Sequence, residues 1–175
     1  MLIHKLTFEK IYQSNKNLVY NLALQYVQNI EDAEEITQDV FLSVYDKLDT
    51  FQNKSKVSTW IYKITIHKCL DFIKAKKAKK RFGFITSWWD EKPDFPKGEP
   101  VNFDHPGVLL EHKESLQELF RIINSLNEKQ KTVIILTKIE EKSISETAEI
   151  MDLSPKAVES LLQRAKNNIR TKGNY

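Results

Sequence analysis

The sequence predicts an all-α protein: two small helical domains joined by an irregular linker, the second containing a helix-turn-helix. Three observations lead there. Helix breakers are confined to one stretch: none of the four glycines and five prolines lies in residues 1–82, and seven of these nine lie in 83–107. On either side of that stretch apolar residues recur at helical spacing, with no strand-like alternation and no internal repeat. Charge is also sorted along the chain. Residues 30–49 hold seven acids and one base, Lys47, whereas 74–81 hold six bases in eight positions and no acid. Such sorting implies two different partners, one of them an anion. The boundaries these patterns set are 1–81 for the first domain, 82–112 for the linker and 113–175 for the second domain.

The first helix is expected over 7–28, where Phe8, Ile11, Tyr12, Leu18, Leu22, Tyr26 and Val27 mark one face. A second starts at Asp32. The string DAEE offers a capping box, with Asp32 accepting from the backbone and Glu35 reaching back. Ala33, Ile36, Val40, Phe41, Val44, Tyr45 and Leu48 continue as its apolar stripe. The loop FQNKSKV follows, and Ser58 or Thr59 is the expected cap of the third helix. That helix, VSTWIYKITIHKCLDFIKAKKAKKR, poses a question. At about 100° per residue, Ile61, Tyr62, Thr65, Ile66, Cys69, Leu70, Phe72 and Ile73 fill a broad apolar arc. Lys63, His67, Asp71 and Lys74 fill the remainder, with Lys68 at its edge, and Trp60 points in among them. A large ring on the wet face needs either a binding task or a neighbour to lie on.

The linker contains GFITSWWDEKPDFPKGEPVNFDHPG, and 82–112 carry six acids and two bases. Its prolines exclude a helix, and its aromatics are too many for a plain spacer. Leu116, Leu119, Phe120, Ile122, Ile123 and Leu126 then mark an amphipathic helix, and LNEKQKTVIILTKI another. ISETAEIMDLSPKAVESLLQRAKNNIR has the helix-turn-helix pattern. Ala148 lets two helices approach, Leu153 fills the turn, Ser154 caps the last helix and Pro155 suits its first position. Ala157, Val158, Leu161, Leu162, Ala165 and Ile169 form the stripe to be buried. Lys156, Glu159, Ser160, Gln163, Arg164, Asn167 and Arg170 face outward, able to reach base edges and phosphates in a major groove.

Composition narrows the function classes. With 175 residues, 41% of them hydrophobic, the chain can build one or two cores. The single cysteine, Cys69, excludes an internal disulfide framework and a multi-cysteine zinc site, and it suits a reducing cytosol. MLIHKLTFEK lacks the apolar core of a secretory signal, and the longest aliphatic run, VIIL at 133–136, is too short to span a bilayer. The sequence holds no P-loop, no metal-ligand cluster and no nucleophile–base signature, and His4, His67, His105 and His112 are scattered. The expectation is a cytoplasmic protein that is not an enzyme and needs no cofactor or metal.

Four strings taken in order, DAEEITQDVFLSVYDKLDTF, STWIYKITIHKCLD, LNEKQKTVIIL and SISETAEIMDLSPKAVESLLQRAK, give the chain a likeness to a known family. It resembles bacterial RNA polymerase sigma factors of the sigma-70 family, in their extracytoplasmic-function (ECF) group, over nearly all its length except 82–112. The resemblance implies a transcription initiation factor that binds core RNA polymerase, directs it to specific promoters and helps melt the minus-ten element. It implies that Glu35, Gln38, Asp39 and Leu42 dock on the β′ clamp helices, that 116–138 meet the β flap, and that the acidic linker threads toward the RNA exit path. Asn53, Lys54, Ser55 and Lys56 would line a pocket for a flipped minus-ten base. Thr59, Trp60, Lys63, His67, Lys74 and Lys77 would complete that DNA-binding surface. Trp60 would stack on a base at the bubble edge, worth roughly 1–3 kcal/mol. Lys156, Glu159, Ser160, Gln163 and Arg164 would read the minus-thirty-five element. An anti-sigma factor, often membrane-anchored in this group, is implied as a partner.

The sequence departs from the family pattern at five places. His67 stands for asparagine, Lys74 for arginine, Asn127 for proline, Thr147 for isoleucine and Glu159 for lysine or arginine. Glu159 cannot hold a phosphate, though it can accept from a cytosine amino group. These changes bear on the promoter sequence rather than the class. The competing reading is a stand-alone helix-turn-helix regulator, which would bind duplex DNA unaided and leave the acidic helix and Trp60 without a task. The long aromatic linker adds one more expectation: the free chain packs its domains together, hiding Trp60 and the recognition helix.

Overall fold

The computed structural model describes residues 2–51, 55–86 and 118–173. The helices are α1 (Leu2–Val27), α2 (Ile30–Lys47), α3 (Val57–Thr86), α4 (118–124), α5 (Glu128–Ile134), α6 (Ile144–Met151) and α7 (Pro155–Gly173). A 3-10 turn, Leu48–Thr50, follows α2, and a π-helical turn, Ile135–Ile139, prolongs α5. No strand occurs among the described residues.

Helices α1, α2 and α3 pack on the stripes the sequence marks. Val19, Leu22, Ala23 and Tyr26 meet Ala33, Ile36, Val40, Phe41 and Val44, and these meet Ile61, Tyr62, Ile66 and Cys69. Three starts differ from expectation, the first being α1, which begins at Leu2 rather than at residue 7. Gln28 takes a left-handed φ of 53° and ends α1, so Asn29 caps α2, its Oδ1 accepting from the Asp32 backbone N–H at 2.8 Å. Asp32 therefore sits inside the first turn, and its carboxylate pairs with Lys76 instead of capping. Helix α3 begins at Val57, with the Trp60 N–H donating to the Lys56 carbonyl at 3.1 Å, so Ser58 and Thr59 lie within the first turn. At its far end α3 passes the expected boundary at 81 and runs to Thr86. Gly83 alone does not stop a helix, and the first proline comes only at Pro93. The rest of the linker lies outside the described residues.

The second domain gathers Ile123, Leu126, Val133, Ile134, Ala148, Val158 and Ala165 around one core. Asn127 caps α5, its Oδ1 accepting from the Gln130 N–H at 2.9 Å. Ser143 and Glu146 form a reciprocal capping box at α6. Ser143→Ala should therefore cost about 1 kcal/mol, read as a lower urea midpoint at unchanged slope. The helix-turn-helix forms where the pattern places it. Asp152 adopts φ 52°, a left-handed conformation that a short polar side chain tolerates, and the Leu153 N–H donates to the Ala148 carbonyl at 3.0 Å. Ser154 Oγ accepts from the Ala157 N–H at 3.3 Å, and Pro155 opens α7.

The domains are closed on each other. Ile135, Leu136 and Ile150 of the second belong to the first domain's core, and α6 packs against α3.

Candidate functional site

Three surfaces matter, and α2 carries the first. Its buried face is complete, with Ala33, Ile36, Val40, Phe41 and Val44 all covered. Glu35, Gln38 and Asp39 are exposed on the opposite side, and Leu42 among them is 64% exposed. Asp39 lies 3.9 Å from the Lys68 ammonium, too far for a strong pair. The neighbouring Phe8, Tyr12, Phe41 and Tyr45 form an aromatic cluster, edge-to-face except for the stacked Phe8–Tyr12 pair, that leaves Tyr45 46% exposed although the sequence stripe would bury it.

The second surface is the outer side of α3. His67, Lys74 and Lys77 are exposed and Lys63 is half-buried. Trp60 is half-buried too. It packs against the core and stacks on Phe51, with centroids 4.6 Å apart and planes 25° apart. The ring therefore has a neighbour on one side and remains partly open on the other. Ser55 is half-buried and Lys56 exposed, while Asn53 and Lys54 lie outside the described residues. Thr59 is buried, so its side chain is withdrawn from this surface. The third surface is α7, where Lys156, Glu159, Ser160, Gln163 and Arg164 are all exposed in one row. Arg164 donates to Ser160 Oγ at 2.9 Å, which pre-aims its guanidinium along the helix.

Between the domains runs a set of polar contacts. Glu140 sits where the π turn ends, its N–H donating to the Ile135 carbonyl at 2.9 Å. Its carboxylate accepts from Gln25 Nε2 and from the Tyr62 hydroxyl, each at 2.6 Å. Burial first, and then the Glu140 carboxylate, push the Tyr62 phenol far above its ordinary range, so it remains a donor. The Tyr26 hydroxyl donates to Thr132 Oγ1 at 2.8 Å. Lys131 is buried; its ammonium donates to the Tyr26 carbonyl at 2.8 Å and to Asn124 Oδ1. Burial lowers its pKa to about 8. Two lysines of α3 are engaged from across the gap: Lys63 by Asp152 at 2.5 Å and Lys74 by Glu128 at 3.3 Å.

Among the described residues no helix is long and apolar enough to cross a membrane, and no group of three histidine, cysteine or acidic side chains could hold a metal.

Comparison with known families assigns this architecture. The Sigma-70 region 2 family matches residues 11–79, and the Sigma-70, region 4 family matches residues 116–169. Together they cover most of the chain. The chain belongs to the sigma-70 family of RNA polymerase sigma factors, in its ECF group. Its role is that of a transcription initiation factor. The sigma factor is 27% identical over 165 residues to "ECF RNA polymerase sigma factor SigW" of Bacillus subtilis, covering 93% of this chain and 87% of that one. It is 28% identical over 155 residues to "ECF RNA polymerase sigma-E factor" of Escherichia coli, covering 88% and 80%. Two solved structures share the fold. RpoE of Bartonella quintana, in complex with the anti-sigma factor NepR, aligns with a TM-score of 0.63 at 19% identity, over 94% of this chain and 95% of that one. CnrH in complex with the cytosolic domain of CnrY aligns with a TM-score of 0.66 at 18% identity, over 97% and 89%.

Most described residues expected at the three surfaces are exposed or half-buried and Thr59 is not, while the contacts that join the domains gave no signal in the sequence. The recognition helix is not hidden in the closed arrangement: its outward row stays exposed, because α7 turns only its apolar stripe inward. Closure falls instead on the lysines of α3.

Proposed function

We propose that the sigma factor engages core RNA polymerase through the outer face of α2, opens the minus-ten element with residues 53–56 and the outer side of α3, and reads the minus-thirty-five element with α7. The observation that carries this reading is Leu42. A leucine 64% exposed amid Glu35, Gln38 and Asp39, on a helix whose buried face is already complete, adds little to the core and suits a partner's surface. In such a complex Leu42 is covered and the carboxylates meet basic side chains of the clamp helices. Lys63, Lys74 and Lys77 hold phosphates while Trp60 takes a base. In α7, Gln163 and Arg164 are placed to read base edges and Lys156 to hold a phosphate.

In the closed arrangement Asp152 and Glu128 occupy Lys63 and Lys74, so carboxylates stand where promoter phosphates must come. The free chain is thereby self-inhibited, and polymerase opens it. An anti-sigma factor that prefers the closed form would keep it inactive in the cytoplasm, or at the membrane if the partner is anchored there. The test is transcription with purified core polymerase on genomic fragments, with RNA starts sequenced. Starts that require the protein and share two spaced upstream motifs are expected, and Leu42→Glu should abolish them. A competent polymerase that gains no new starts, beside a protein that binds duplex DNA alone, would establish the stand-alone regulator instead.

A further inference from the structure

The cleft between the domains has a charge arrangement that the contacts within the protein leave incomplete. It is a half-open cleft of about 420 Å³, within the size range of small-molecule sites. Leu70, Phe72 and Ile73 of α3 give it an apolar floor, with Val27 and Leu126 at the sides. Its charged lining comprises Asp32, Lys76, Lys77, Glu128 and Lys131. Both carboxylates are taken, Asp32 by Lys76 and Glu128 by Lys74. Lys77 and Lys131 have no carboxylate within ion-pair distance among the described residues. Lys131 is only 7% exposed, and its ammonium meets two neutral oxygens and the face of the Tyr26 ring, 5.2 Å from its centroid, but no anion. Lys77, from the facing domain, lines the same cleft, and its charge adds to the larger effect of burial in disfavouring the charge of Lys131. A desolvated cation beside a second cation is costly to hold, and a counter-ion between them relieves both terms.

We propose that this cleft binds a small amphipathic anion, its single anionic head between Lys77 and Lys131 and its short apolar body on the Leu70–Phe72–Ile73 floor. Apolar lining beside two convergent donors fits neither a bare inorganic ion nor a neutral lipid. Because Lys77 belongs to the first domain and Lys131 to the second, the bound molecule bridges them and favours the closed arrangement. The site rests on that arrangement and not on the roles assigned to Leu42, Trp60 or α7.

The experiment is calorimetric titration of the full chain, without polymerase, using sodium octanoate and octyl phosphate as the anions and 1-octanol as the neutral control. Saturable one-to-one binding of either anion is expected, at least about tenfold tighter than octanol, because charge-assisted contacts to the head are lost with the charge. Lys77→Ala, at an exposed position that folding does not need, should weaken the anion about tenfold and leave octanol unchanged. Ile73→Ala should weaken all three. Octanol binding as tightly as the anions, an anion affinity indifferent to Lys77→Ala, or no saturable binding would each overturn the site. Transcription by the sigma factor would stand in any of these cases, since polymerase is absent from the assay.

Discussion

Trp60→Ala should cut open-complex formation on duplex promoters roughly 5- to 150-fold, the equivalent of losing one base–aromatic stack of about 1–3 kcal/mol. On a template already melted across the minus-ten element, the variant should perform close to the wild type. The structure explains why one ring can matter this much. Phe51 stacks on Trp60 at 4.6 Å and holds its plane, so the ring loses little further freedom when a base arrives. Lys63 and His67 follow at three and seven residues along the same helix face, beside the ring and able to reach the backbone of a stacked nucleotide. Trp60 also packs on the core, so its removal lowers stability as well. The two templates separate these effects. A protein damaged in folding loses activity on both, whereas one lacking only the stack recovers on the bubble. Trp60→Phe, which retains a smaller ring, should fall between. Equal losses on duplex and bubble would reduce Trp60 to a packing residue.

The elements were legible where one helix face was apolar and the other charged. The α2 stripe, the α7 stripe and the turn at Asp152–Ser154 could be placed because their partners are local and their spacing is regular. Helix starts were harder. Asp32 and Asn29 are both good caps, and the choice fell to the left-handed Gln28 that closes α1 just upstream. The interdomain contacts gave no such signal. Glu140 finds Gln25 and Tyr62 more than 75 positions away, and nothing in KIEEKS distinguishes it from Glu141 beside it. A clue did lie in TVIIL. Val133 and Ile134 fill their own domain's core while Ile135 and Leu136 fill the other's, so this helix is apolar on two sides. A helix apolar most of the way round is one that is buried on both sides. Lys131 interrupts that pattern with a charge, yet its stem is buried and its head donates to the neutral oxygens of Tyr26 and Asn124.

Glu140→Ala should open the sigma factor. The carboxylate accepts from both Gln25 and Tyr62 at 2.6 Å, and hydrogen bonds to a charged acceptor are worth roughly 1.5–3 kcal/mol when shielded from water. Glu140 is itself half-buried, so the lower end of that range applies, and the closed-to-open ratio should fall about tenfold. The Tyr62 hydroxyl, mostly buried and still a phenol, is left without its acceptor, which penalises the closed form further. Glu140→Gln keeps an acceptor without the charge and should open the chain less. Small-angle scattering reads the change as a larger radius of gyration. A second readout follows from the lysines: once Asp152 and Glu128 swing away, Lys63 and Lys74 are free for phosphates. The Glu140→Ala protein should then bind a single-stranded minus-ten oligonucleotide without polymerase, about tenfold more tightly than the wild type, and more steeply with falling salt. An unchanged radius with unchanged oligonucleotide affinity would mean that Glu140 does not hold the domains together. A larger radius without tighter binding would mean that closure leaves the α3 lysines available, and that polymerase contact, rather than opening, switches on the minus-ten surface.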